Sequence, residues 1–283
     1  MSLLNQFFLS SEHSSPFVNH TYDVTLVALS LVMAVFTSGM ALQAAHLAHI
    51  AKNPVHRQIA ILSGTLALGG GIWSMHFIGM LAFELCTPVI YDPPITLLSM
   101  LPSVGASWVA LQLLSRHNLS RLQLFLGGFL IALGIAVMHY SGMSAMRMTA
   151  SLRYEPYTFF ASILLAIIFA TLSLSVRLKT APHHHSQKAR IMFSALLMGT
   201  AIAGLHYLGM WSARFLGTDS EMLDVVMLNT SSASLLLAVF TIIVTALMLA
   251  GNRLLRYRSL YYEATRKQAQ LQAILDASDK DTM

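Results

Sequence analysis

Three short stretches hold the residues best suited to chemistry: Met75-His76-Phe77-Ile78-Gly79-Met80, Met138-His139-Tyr140-Ser141-Gly142-Met143 and Leu205-His206-Tyr207-Leu208-Gly209-Met210. They share the pattern (Met/Leu)-His-aromatic-x-Gly-Met, and their histidines follow one another at intervals of 63 and 67 residues. Within each copy His and the closing Met are four apart, so on a helix the imidazole and the thioether stand on one face a turn apart. The pairs are His76 with Met80, His139 with Met143 and His206 with Met210; Met75 and Met138 add thioethers just before the first two histidines. Imidazole is a borderline ligand and thioether a soft one. Without thiolate or carboxylate in the motif they favour copper, above all Cu(I), over calcium or magnesium. Zinc more usually recruits Cys or a carboxylate beside His. A single such His reads equally well as a buried group bonded to a carbonyl, and a single Met as gap-filling core. Three copies in register favour a site. One shared His₃ centre and three separate centres both remain open at this level.

The elements that carry these motifs must cross a bilayer. The chain of 283 residues is 55% hydrophobic and 10% charged, with mean hydropathy +0.64, whereas soluble domains carry about 25% charged residues. Seven apolar runs reach the length of about 20 residues that a spanning helix needs, near 24–48, 58–83, 95–115, 122–145, 157–177, 190–213 and 231–253. The reading is an all-α membrane protein of seven transmembrane helices. Helices 1–2, 3–4 and 5–6 form three helix-pair repeats, each ending in a motif, with helix 7 as the exit and a cytoplasmic helix after it. Residues 1–23 form an extracytoplasmic arm, 24–253 the membrane domain and 254–283 a cytoplasmic linker. The arm holds no Lys or Arg, so the first span reads as retained and not as a cleaved signal peptide. Clustered small residues (Ser63-Gly64-Thr65, Gly69-Gly70-Gly71, Gly127-Gly128) mark faces that pack on neighbouring helices.

Charge gives the orientation. The loops after helices 1, 3 and 5 and the C-terminal tail hold fourteen of the 17 Lys and Arg; the other ends hold Arg147, Arg153 and Arg214. By the positive-inside rule the N-terminus lies outside and the C-terminus in the cytoplasm. The net charge of +5 is thereby accounted for without nucleic acid. Each motif His falls about seven residues before the outer end of its helix, roughly 10 Å deep at 1.5 Å per residue. The residues eight beyond the motif histidines are Glu84, Arg147 and Arg214, at the acidic outer side with Asp92, Glu155, Asp219, Glu221 and Asp224. The lone Cys86 excludes an intramolecular disulfide framework, and His183-His184-His185 reads as a solvated tract on the cytoplasmic side. From Leu254 to Ser278 a 3-4 spacing of apolar residues reads as a helix that pairs with a second copy. Leu271–Ser278 is similar to linkers that precede cytoplasmic domains in bacterial signalling proteins.

With Met-His-aromatic motifs in alternate helices of a seven-span chain, residues of about 20 to 255 resemble the MHYT family of bacterial integral membrane sensor proteins. The resemblance implies a sensory domain of the bacterial cytoplasmic (inner) membrane, with no catalytic activity of its own. It implies partnership with an output domain such as a diguanylate cyclase, phosphodiesterase or histidine kinase. It also implies copper near the outer face, held by His76, His139, His206, Met75, Met138, Met80, Met143 and Met210, and a diatomic gas (O₂, CO or NO) or redox state as the signal. The chain departs from the family pattern at Leu205, which replaces the leading Met. Ile78, Ser141 and Leu208 argue against an essential hydroxyl at the fourth position. Two other classes compete. A copper-handling transporter would use Met33, Met40, His46 and His49 of helix 1 as further ligands. A haem or oxidase reading lacks any marked route for electrons. A retinal protein is set aside, because residues 231–253 contain no Lys for a Schiff base.

Overall fold

The computed structural model describes residues 7–9, 17–51, 53–86, 89–116, 119–178 and 187–217, and scattered positions between 243 and 272. Six helices among them are long and apolar enough to cross a membrane. The seventh span expected at 231–253 lies outside the described residues except at a few positions. Among the described residues the fold shown has six spans, not the seven expected. The His183–His185 tract and the acidic residues Asp219, Glu221 and Asp224 also lie outside them.

The spans begin where capping residues satisfy first-turn N–H groups. Helix α1 (Val24–Ile50) starts at Asp23, whose carboxylate accepts from the N–H of Thr25 and Leu26 at 2.8 and 3.2 Å. Helix α2 (Pro54–Leu81) starts at Asn53, with Pro54 at the first helical position where a missing N–H costs nothing. Helices α3 (Pro93–Leu98) and α4 (Met100–Leu114) run on through Ser99 as one span capped by Asp92. Helix α5 (Arg121–Met143) carries a full capping box between Ser120 and Gln123. Helix α6 (Pro156–Leu178) is capped by Glu155, which accepts from the N–H of Tyr157 and Thr158. Helix α7 (Gln187–Ser212) completes the set.

The helices close into a ring. Within repeats α1 packs on α2, α4 on α5 and α6 on α7; between repeats α2 meets α4, α5 meets α6 and α7 meets α1. Each seam between repeats is closed by a glycine: Gly69 against the backbone of Val104, Gly128 against Thr171 and Gly199 against Val35. A side chain at Gly69 or Gly128 would strike main chain and one at Gly199 the Val35 side chain, so the small residues allow the close approach expected in lipid. The motif helices α2, α5 and α7 also meet one another along the ring axis. Lipid-type exposure falls mainly on α1, α4 and α6, and α2 is the most enclosed span.

At the motif end the sequence reading missed a layer of strands. Strand β1 (His20–Tyr22) pairs with β2 (Phe83–Leu85), β3 (Ile90–Tyr91) with β4 (Met146–Arg147), and β5 (Ser151–Tyr154) with β6 (Ala213–Leu216), all antiparallel. Each ribbon joins the strand before the first helix of a repeat to the strand after its second, so every repeat is a closed strand–helix–helix–strand unit. The three charges eight beyond the motif histidines do not meet. Glu84 accepts from Thr21 Oγ1 at 3.3 Å, Arg147 pairs with Asp92 at 3.1 Å and Arg214 stands opposite Arg153. Three ribbons hold them apart. The Asp92 carboxyl is held below the usual carboxylate range first by the Ile95 N–H and then by the Arg147 side chain.

Candidate metal centre

Ring closure brings the three motif histidines to one point on the axis. His76, His139 and His206 are fully enclosed and their Nδ1 atoms form a triangle: His76–His139 3.1 Å, His76–His206 3.1 Å and His139–His206 3.3 Å. The imidazole planes stand nearly perpendicular to one another, at 90°, 85° and 89°. Each ring spans the gap between two motif helices. Its Nδ1 points to the axis and its Nε2 abuts the motif glycine of the next helix: His76 on Gly142, His139 on Gly209, His206 on Gly79. That is why the motif needs Gly three residues after His. A Cβ at any of the three would collide with an imidazole nitrogen.

Protons alone cannot satisfy this triangle. A ring nitrogen is either a donor or an acceptor, and three nitrogens sharing two roles must leave at least one like pair in contact. Every Nε2 is buried with no hydrogen-bond partner, so no outside group selects the tautomers. A cation shared by three unprotonated Nδ1 atoms removes the conflict. Separations of 3.1–3.3 Å suit neighbouring ligands on one ion with bonds of about 2.0–2.1 Å. The three histidines are the one such group of His, Cys, Asp and Glu ligand atoms among the described residues. The fold brings the three imidazoles to one point, and the cluster could hold a single metal ion.

The structure places the methionines in two different layers. Met80, Met143 and Met210 belong to the cluster at the motif end, with Val18, Phe83, Met146 and Tyr154. Met75, Met138 and Leu205 are buried in the larger cluster that fills the bundle. Sequence reasoning missed several threefold positions. Ile72, Ile135 and Ile202, one turn before the histidines, are buried in that larger cluster, so an Ile-x-x-x-His spacing extends the motif. Tyr22-Asp23, Tyr91-Asp92 and Tyr154-Glu155 recur where α1, α3 and α6 begin. Their phenol rings face Tyr207, Phe77 and Tyr140, the aromatics that follow the motif histidines, at 6.3, 6.0 and 5.2 Å. Burial raises all three phenols above their ordinary value, Tyr22 to about 12. The aromatic after each His also differs by sector. Tyr207 bonds Ser30 at 2.6 Å and Tyr140 bonds Ser162 at 3.0 Å, while Phe77 has no hydroxyl to share.

Residues 69–127 and 133–192 match the MHYT family, described as a bacterial signalling protein N-terminal repeat. The bifunctional diguanylate cyclase/cyclic di-GMP phosphodiesterase MucR of Pseudomonas aeruginosa is 42% identical over 201 residues, 69% of this chain and 28% of that protein. The chain belongs to the MHYT family. Signaling protein YkoW of Bacillus subtilis is 35% identical over 202 residues, 70% of this chain and 25% of its own length. The cyclic di-GMP phosphodiesterase NbdA of Pseudomonas aeruginosa is 36% identical over 196 residues, 68% of this MHYT chain and 24% of that protein. The match therefore spans about a quarter of each of these relatives. No solved structure matches the chain.

Proposed function

We propose that this MHYT chain is the membrane sensory part of a signalling protein, with a copper ion held by His76, His139 and His206. The reading rests on the Nδ1 triangle, whose contacts two proton states cannot satisfy together. Copper is favoured among metals by the thioethers of Met80, Met143 and Met210 in the adjoining layer and by the absence of carboxylate and thiolate from the cluster. Bound copper would supply a redox-active centre able to take a diatomic ligand or change oxidation state. The protein's part is to orient three imidazoles, keep the layer dry, and couple their positions to the helices. Because each imidazole is wedged between the axis and the next helix's glycine, a change in ligand spacing moves helix against helix. Such a shift is the two-state element that signalling needs.

The basic-residue bias supports a motif end that faces outward and spans that end in the cytoplasm. Names of the relatives support an output domain of the diguanylate cyclase or cyclic di-GMP phosphodiesterase kind, and residues 254–278 are proposed to pair in a dimer. The test is elemental analysis of purified protein. Wild type is expected to hold about one copper per chain and a His76→Ala/His139→Ala/His206→Ala variant close to none. Equal, near-zero copper in both would end the metal reading.

A further inference from the structure

The three sectors at the motif end are built alike, but one of them is open. Val27, Thr96 and Phe159 occupy equivalent places, four residues after the capping Asp23, Asp92 and Glu155. Phe159 plugs its sector, with its ring centroid 4.4 Å from Tyr140 and 5.8 Å from Tyr154, and Phe7 and Phe8 pack over it at 5.6 and 5.4 Å. In the sector of Thr96 its carbonyl receives the Trp73 indole N–H at 2.9 Å, and Trp73 lies 5.0 Å from Phe77. Val27 is too short to do what Phe159 does. Between α1 and α7 a cavity of about 430 Å³ therefore remains, walled by Val27, Tyr22, Tyr207 and Met210 and rimmed by His20 and Arg214.

We propose that this cavity binds an anionic amphiphile, with the acidic head at Arg214 and the apolar body against Val27 and Met210. Its size suits a small organic ligand and is far larger than a metal ion or a diatomic gas needs. The lining carries the Arg214 guanidinium and no carboxylate, so it favours an anion over a cation. Its groups donate: the Arg214 guanidinium, and the Tyr22 hydroxyl, which stays protonated because burial lifts its pKa to about 12.

The ribbon beside the cavity also calls for an anion. Arg214 lies directly opposite Arg153 in the β5–β6 register, and like charges so placed destabilise a strand pair. The Arg153 Nε is buried without a hydrogen-bond partner. Glu155 is the acid that feels Arg214, but its oxygens already accept from the N–H groups of Tyr157 and Thr158 and from the Thr158 hydroxyl. Met210 in the wall is one turn beyond His206, so an occupant of this cavity touches the layer that adjoins the histidines.

The same chemistry is offered by a free fatty acid and by an anionic phospholipid. The full chain in detergent is titrated with oleate, with phosphatidylglycerol and with zwitterionic phosphatidylcholine, and bound lipid is read by native mass spectrometry. Wild type is expected to prefer one anionic probe over phosphatidylcholine by about tenfold or more. Arg214→Gln should erase that preference, and Val27→Phe, which places in this sector the ring that Phe159 places in another, should remove binding of either head. Preference for oleate assigns the fatty acid, and preference for phosphatidylglycerol the phospholipid. No anionic preference in wild type, or a preference that survives both substitutions, overturns the proposal. Copper content read on the same samples keeps this result separate from the metal reading, which does not depend on it.

Discussion

Gly142→Ala is expected to abolish copper binding while leaving all three histidines in the chain. The added methyl would fall on His76 Nε2. The imidazole cannot retreat toward the axis, because His139 and His206 already stand 3.1 Å from its Nδ1. Either the ring leaves its rotamer or α5 moves away from α2, and each breaks the triangle. Overpacking of this kind costs about 1–3 kcal/mol of stability, so the protein should still fold while its metal-to-protein ratio drops to near zero. Gly105→Ala is the matching control. A Cβ there meets nothing within 4 Å, and Ala is the better helix former, so its copper content and melting temperature should stay at or slightly above wild type. Wild-type copper in Gly142→Ala would show that the imidazoles are not wedged as described.

A second large effect is expected from the thioether layer. Replacing Met80, Met143 and Met210 together by Leu keeps volume and apolarity, and such exchanges usually cost under about 1.5 kcal/mol each. The helices should therefore form with a modest loss of melting temperature. If the thioethers assist the metal as proposed, affinity for Cu(I) falls by at least about tenfold, measured by competition with a Cu(I) chelator. Met75→Leu/Met138→Leu, in the inner cluster where Leu205 already stands at the third position, is expected to change affinity little. Equal affinity in wild type and the triple variant would confine the ligand set to the imidazoles.

The helical frame was legible because its signals are long: runs of twenty apolar residues, punctuated by capping acids, prolines and basic loops. The motif histidines were legible because they repeat. Their convergence through Nδ1 was not, since the choice between the two ring nitrogens is set by the glycine that each Nε2 meets on another helix. The sequence showed Gly79, Gly142 and Gly209 only as conspicuous small residues; their role depends on partners 60 or more residues away. The β ribbons escaped notice because two to four residues per strand leave no periodicity to detect. They had a signal of another kind in the thrice-repeated Tyr-Asp/Glu pair, visible once the repeat is aligned on the first helix of each pair and not on the motif. Met75 and Met80 both stand beside His76 in the sequence, but Met75 packs in the bundle cluster and Met80 in the cluster at the motif end.

The most direct test of the central claim is X-ray absorption at the copper edge on the purified, copper-loaded chain. Three nitrogen scatterers at about 2.0 Å with the multiple-scattering pattern of imidazole are expected, reduced to two or lost in His139→Ala. A spectrum without imidazole scattering, or one unchanged by His139→Ala, would contradict a metal centre at His76, His139 and His206.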